Sequence, residues 1–183
     1  MTSTQIIFSR PLTLLVALAL SLAAAVSPAR TQGSEGQPSL VERYGDWGVY
    51  VGSNDGKKVC FALTQPTSSE TDPPNRPRDP IYLFVSTRPA ENVRHEVSII
   101  IGYPHKPNAD ATAEVGDAKF AMQTQSDNAW VKNPAEEESL VASMRKGADM
   151  VVRGVSSRGT ETTDRYSLKG VSQALDRVSQ ECR

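Results

Sequence analysis

What restricts this chain most is a rhythm of period two. From Tyr44 onward, short runs place apolar residues at alternate positions, and Gly, Asn, Asp or Pro separate one run from the next. A helix repeats every 3.6 residues, so runs of this kind settle as strands, whose successive side chains point to opposite faces. WGVYV sets Trp47, Val49 and Val51 against Gly48 and Tyr50, and KVCFALT sets Val59, Phe61 and Leu63 opposite Cys60 and Ala62. The intervening GSNDGK supplies turn residues, so the pair predicts a hairpin. IYLFVST (81–87) is apolar throughout and fits a central strand, while HEVSIIIGY (95–103) puts Val97, Ile99 and Ile101 on one face. TAEV, AKFAMQT, NAWVK, DMVVRGVS and TTDRYSL each predict a further short strand. QPTSSETDPPNRPRDP, with five prolines between positions 66 and 80, is excluded from helices and inner strands.

Two segments break the rhythm. In NPAEEESLVASMRKG, Asn133 is placed to cap a helix, with Pro134 at its first position, Glu136 at capping-box spacing and Gly147 after the last turn. Acidic residues gather in the first turn and Arg145 and Lys146 in the last, as the helix dipole favours. Near the C-terminus, Leu168, Val171, Leu175, Val178 and Cys182 recur at spacings of three and four, which makes one helical stripe. Many short strands without a strand-helix alternation argue against a parallel doubly wound sheet. The expected fold is mainly β, an antiparallel β-sandwich with one internal helix and a C-terminal helix.

Ahead of this body, Arg10 precedes an apolar run from Leu12 to Val26, followed by small residues around Ser27 and Pro28. That run is shorter than the roughly 20 apolar residues a membrane span needs, so residues 1–29 read as a secretory signal peptide. Cleavage suits Ala25 or Ala29, with Ala29 favoured. Residues 30–43, polar and rich in Gly, Ser and Gln at their start, read as a flexible leader, and 44–183 as the folded domain. Losing residues 1–29 removes Arg10 alone among the charges, which leaves 19 of the 20 basic residues against 21 acidic ones, a net charge of −2. Such a chain lacks the field of a nucleic-acid binder. No second apolar stretch is long enough to span a bilayer once the signal is cut. Export to an oxidising compartment makes a bridge between the two cysteines, Cys60 and Cys182, the expected state. It would tie the C-terminus to an early strand.

YGDWGVY, CFALTQP, IIIGYPHKP, DNAWVK and the long block LVASMRKGADMVVRGVSSRGTETTDRYSLKGVSQAL, ending in a cysteine, resemble the invasion-associated locus B family of exported proteobacterial proteins, from about Tyr44 to Cys182. The resemblance implies an immunoglobulin-like β-sandwich in the periplasm or cell envelope of an alphaproteobacterium, with no catalytic residues and no cofactor to carry across. A binding or adhesion-type module is the function it implies. Its partner would be an unidentified envelope or host-surface component.

The residues themselves add candidates. GVSSRG lacks the G-x-S-x-G spacing of a nucleophile elbow, so a periplasmic hydrolase using Ser156 or Ser157 with His95 or His105 is the weaker alternative, alongside a structural or chaperone-like envelope component. No histidine or cysteine spacing suggests a metal site. Trp47 and Trp130 are expected in the core. Arg153, Arg158 and Arg165 project from one predicted hairpin, and Arg76 and Arg78 from the proline-rich loop. Guanidinium forks suit carboxylate, phosphate or sulfate groups, so these five are the expected partner or anion contacts.

Overall fold

In the computed structural model, residues 37–183 are described. The proposed signal peptide and residues 30–36 of the leader lie outside them. Eleven strands form in order: β1 (Ser39–Tyr44), β2 (Trp47–Asn54), β3 (Lys57–Thr64), β4 (Ser68–Asp72), β5 (Tyr82–Arg88), β6 (Val93–Ile100), β7 (Ala111–Val115), β8 (Ala118–Gln125), β9 (Asn128–Val131), β10 (Asp149–Val155) and β11 (Glu161–Ser167). Helix α1 (Glu137–Lys146) falls between β9 and β10, and α2 (Val171–Glu181) follows β11. The chain is therefore mainly β and antiparallel, with one internal and one C-terminal helix, as its rhythm predicts.

The strands hydrogen-bond as one sheet in the order β1-β2-β3-β5-β6-β9-β8-β7-β10-β11-β4. Its two ends meet. The indole N–H of Trp47, at the start of β2, donates to the Ser167 carbonyl at the end of β11 over 3.0 Å, and the Asp46 N–H donates to the Lys169 carbonyl. The sheet thus folds back so that its halves share one core, a sandwich whose layers stay joined through β6 and β9. Alternation decides what enters that core: Val49, Ala62, Val85 and Val97 align across four strands and are all fully buried.

Both helices close the inner side. The predicted α2 stripe of Leu168, Val171, Leu175, Val178 and Cys182 is buried, and α2 packs on β1, β2, β3 and β5. Gly170 starts the helix at φ 94°, where a Cβ would meet the Tyr44 carbonyl oxygen at 2.0 Å, so both space and backbone require glycine there. Cys182 reaches β3 and pairs with Cys60 across a sequence separation of 122 residues. Asn133 caps as expected, its side chain accepting the Ala135 N–H, but the cap opens a 3-10 turn over Pro134–Glu136 that runs on into α1.

Two boundaries differ from expectation. Residues 39–43, assigned by composition to the flexible leader, belong to β1, an edge strand that pairs with β2. Backbone pairing needs no apolar alternation on the outer edge, so SLVERY gives little sign of it. The proline-rich stretch begins with another edge strand, β4, paired with β11 just before the prolines cluster. Pro66 and Pro73 lie outside it, on either side.

Candidate binding face

The β10–β11 hairpin answers the question its arginines raise. The Ser156 hydroxyl accepts the N–H groups of Arg158 and Thr160, Ser156 N–H donates to the Thr160 carbonyl, and Gly159 takes φ 83°. These make a self-contained turn. Pairing of Val151 with Arg165 and of Arg153 with Thr163 puts Arg153 and Arg165 on one outward face. Each has an acid: Arg153 lies 3.0 Å from Glu114, and Arg165 lies 3.6 Å from Asp149. Both pairs are partly exposed, where such contacts contribute little. Arg158 and Arg76 are exposed, with no carboxylate in ion-pair range among the described residues.

Arg78 departs from the expected role. Its guanidinium donates to both carboxylate oxygens of Asp164 at 2.7 Å and to the Ile101 carbonyl at 2.6 and 3.1 Å, and it lies 5.1 Å from the centre of the Tyr103 ring. Its side chain is 7% exposed and that of Asp164 is fully buried. Four of its five N–H donors are spent inside, so it is not part of an exposed contact. The sequence could not show this, because Asp164 is 86 residues away.

Of the hydrolase candidates, His105 pairs with Ser156 through an isolated backbone bridge, and its buried Nε2 has no hydrogen-bond partner among the described residues. Ser156 caps its turn, and the buried His105 ring meets Tyr103 edge-on at 5.5 Å. His95 bonds to a serine that sequence reading did not single out: its Nε2 lies 2.9 Å from Ser179 Oγ. That hydroxyl also donates to the Leu175 carbonyl one turn back, which ties it into its own helix. Burial, with Arg145 and Arg94 nearby, lowers the His95 pKa. Among the described residues no group of three His, Cys, Asp or Glu side chains converges as metal ligands would.

Trp47 is fully buried, as expected. Trp130 is not. It is half-buried on the outer face of β9, because Ala129 and Val131 take the inward phase of that short strand. In this position it joins a feature that the expectation of an apolar central strand concealed. On β2, β3 and β5 the phase pointing away from α2 is also apolar. Pairing sets Tyr50 beside Phe61, and sets Phe84 between Leu63 and Ser98, with Trp130 next along the same row. The rings touch: Tyr50 and Phe61 stack at 5.3 Å and 12°, Phe61 meets Phe84 at 5.7 Å, and Phe84 meets Tyr82 at 6.0 Å. Leu40, opposite Tyr50 on β1, extends the row and is 46% exposed. The signal was present in the sequence: apolar residues occupy both phases of VYV, CFAL and IYLF, with the aromatics in one of them, while only one phase finds a helix to cover it.

Several charges around this face are paired, while the exposed Arg43, opposite Gly48, and Lys57, in the phase of Phe61, have no carboxylate in ion-pair range among the described residues. Arg88 holds Glu91 at 2.6 Å and Glu96 at 2.9 Å, Lys132 holds Asp110 at 2.6 Å, and Glu114 sits 3.0 Å from both Lys119 and Arg153. Its uncharged polar groups are Ser86 beside Phe61, Ser98 and Gln123 flanking Trp130, and Asn128 beside Ile100. It is a mainly aromatic face on a paired sheet, with Glu96 beside Ser86 and Arg43 opposite Gly48 at the ends of its rows.

Comparison with known proteins agrees with this architecture. Invasion protein B of Bartonella bacilliformis is 26% identical over 168 residues, covering 84% of this chain and 85% of its own length. The crystal structure of invasion associated protein B from Bartonella henselae superposes with a TM-score of 0.54 at 20% identity, covering 78% of this chain and 96% of that one. At that identity the superposition establishes the fold. The family model described as Invasion associated locus B (IalB) protein matches residues 47–179, from the buried Trp47 through β11 and most of α2, and the chain belongs to that family.

Proposed function

We propose that this chain is an exported binding module of the periplasm or cell envelope, which recognises a partner through the outer face of β2, β3, β5 and β9 and does not transform it. The carrying observation is the contiguous run Tyr50–Phe61–Phe84–Tyr82, left open on strands whose other face is sealed by α2. Rings held by packing lose little conformational freedom on binding and present a large apolar area, which is why aromatic residues dominate recognition hot spots. The apolar N-terminal run and the Cys60–Cys182 bridge support export. The relatives are named as invasion proteins, which supports a contact at the bacterial surface, with envelope or host material as the partner. Arg76, Arg153, Arg158 and Arg165 offer acidic groups a second, weaker contact on the other half of the sheet and its loops.

The test is retention of isolated envelope fractions by the immobilised protein. Tyr50→Ser with Phe61→Ser should lose retention while circular dichroism and the melting temperature stay close to wild type. Equal retention by both proteins would remove the aromatic face from the function, and loss only on alanine replacement of the four arginines would transfer it to the charged half.

A further inference from the structure

We propose that the free edge of β4 is a docking site for an extended peptide segment of a partner protein, one that carries basic side chains at every second position. The site does not depend on the reading of the aromatic face. It is made by a strand edge and its acids, not by the arginines of the crossover.

β4 ends the sheet and pairs with β11 on one side only, over Ser68–Asp72, in unbroken register. In such a strand every second residue turns its N–H and C=O away from the partner, and among the described residues no backbone bond links that outer side to another segment. A cleft of about 920 Å³ adjoins it, lined by Ser69, Glu70 and Thr71 and, across from them, by the return segment between Pro74 and Ile81. Successive side chains of a strand point to opposite faces, so three consecutive residues line one cleft where the strand presents its edge to it. The far wall is fixed: the Arg76 N–H donates to Thr71 Oγ1 at 3.1 Å, the Asp79 N–H donates to the Gly102 carbonyl at 3.0 Å, and Arg78 is held by Asp164. A slot beside unpaired backbone is what strand addition uses. The opposite edge of the sheet is less suited, because β1 carries a bulge between Leu40 and Glu42 that interrupts its ladder.

Charge selects the partner. Thr71 and Ser69 stand opposite the buried Thr162 and Asp164, so Glu70 and Asp72 take the outward phase, opposite Thr163 and Glu161. Glu70, Asp72 and Glu161 are exposed, as is Asp79 on the far wall, and none has a basic group in ion-pair range among the described residues. Asp72 and Glu161 face each other directly, an arrangement of like charges that costs stability. Of the basic groups on these elements, Arg78 is bound to Asp164, Arg165 lies 3.6 Å from Asp149, and Arg153, next to Thr163 in the Glu70 row, lies 3.0 Å from Glu114. Arg76 on the far wall is unmatched, and Arg158 and Lys106 lie beyond the strand, at the β10–β11 turn and on the loop bonded to it. The free acids along the edge therefore outnumber its one free cation. An added strand sets residues opposite Glu70 and Asp72 with Cβ atoms about 4.5–5.5 Å away. Residues two apart share a face, so lysine or arginine at such positions meets both acids and relieves the repulsion between Asp72 and Glu161. Pro66 and Pro73, outside either end of β4, lack the N–H that would extend the ladder, so the site takes a short segment.

The experiment titrates the exported protein with the end-blocked peptide TKVKVKT, with its acidic counterpart TEVEVET, and with TKPKPKT, which keeps the lysines but cannot pair as a strand. Backbone NMR shifts and amide hydrogen exchange locate the contact. TKVKVKT should bind saturably, shift Ser68–Asp72 and residues 74–81, and slow exchange of the outer amides of β4. The other two peptides should each bind roughly tenfold more weakly or worse. Glu70→Lys with Asp72→Lys should reverse the preference between the lysine and glutamate peptides. Both side chains are exposed, and shift mapping on the wild-type protein keeps the test independent of how the variant folds. No shift with TKVKVKT, or shifts located elsewhere, would overturn the proposal. Equal binding of TKPKPKT would do so by showing a charge contact without strand addition, and equal binding of TEVEVET by showing that the acids do not select. Protection of β4 that rises with protein concentration in the absence of peptide would give the edge to a second copy of this chain, which also overturns it.

Discussion

At the scale of single residues, the most exacting contact is the one between Arg78 and Asp164. A carboxylate with no exposed surface is tolerated because two guanidinium bonds meet it in a bidentate fork, while the Ile101 carbonyl accepts two further N–H groups. Removing one partner strands the other charge in the interior, which costs about 3–5 kcal/mol. Arg78→Met should lower stability by that amount in urea unfolding, and Arg78→Met combined with Asp164→Leu should recover most of it; two equal losses would show that the pair is not isolated in this way. Glu137 offers a pH-dependent counterpart. It accepts the Val97 N–H in a cleft of about 680 Å³ between α1 and the start of β6. Burial pushes its pKa up to about 6, with the Val97 N–H opposing the shift and Glu96 adding to it. A carboxyl whose pKa is raised on folding favours the native state below its unfolded value of 4.5, and that favour is lost as pH rises through about 6. Glu137→Gln keeps the acceptor without the charge. It should match wild type at pH 4 and exceed it at pH 7.5 by roughly 1 kcal/mol, after discounting for partial exposure; thermal melts of both proteins at the two pH values would measure the difference.

At the scale of elements, what the sequence made legible was whatever depends on local periodicity. The α2 stripe, the β2–β3 hairpin and the strands from β5 to β11 follow from spacing alone, because the side that is apolar is the side that is buried. Trp47 was placeable by the same rule, whereas on β3 the more apolar phase of Val59, Phe61 and Leu63 faces outward and Cys60 and Ala62 are buried. The rule failed where pairing rather than burial makes the element. β1 and β4 are edge strands without a clear apolar phase, so composition assigned one to a leader and left the other inside a proline-rich connection. It failed again at Trp130, where a four-residue strand gives too few positions to fix which phase faces inward. The Cys60–Cys182 bridge joins two elements that periodicity did place, and it fastens α2 to β3 at the far end of the chain. Closing a loop of that length removes about 5 kcal/mol of unfolded-state entropy in chain-entropy models. Cys60→Ala with Cys182→Ala should therefore shift the urea midpoint strongly downward while leaving the native circular dichroism spectrum intact; an unchanged midpoint would mean that packing of Leu175 and Val178 alone holds the helix.

At the scale of the whole molecule, the folded sheet depends on the crossover between β3 and β5. That connection leaves one half of the sheet at Thr64, pairs β4 with β11 at the end of the other half, and returns to start β5 at Tyr82. On the way it delivers Arg78 to Asp164 and Ile101, and bonds the Asp79 N–H to the Gly102 carbonyl. Composition alone makes this segment a mobile loop and a partner contact, since its prolines stiffen an exposed backbone and its arginines advertise charge. The long-range pairs reverse that reading, and none of them is visible within a window of neighbouring residues. Deleting residues 68–79 removes an edge strand, exposes the unpaired N–H and C=O groups of β11, and leaves Asp164 buried without its cation. The expected outcome is loss of cooperative unfolding and aggregation through the bared β11 edge, because an open edge recruits a second chain. Replacing Arg76, Pro74 and Asn75 with Ser keeps β4 and Arg78 and should leave the melting temperature within a few degrees of wild type. If instead the deletion melted like the intact protein, the crossover would be an accessory loop, and the two halves of the sheet would hold together through β6, β9 and the helices alone.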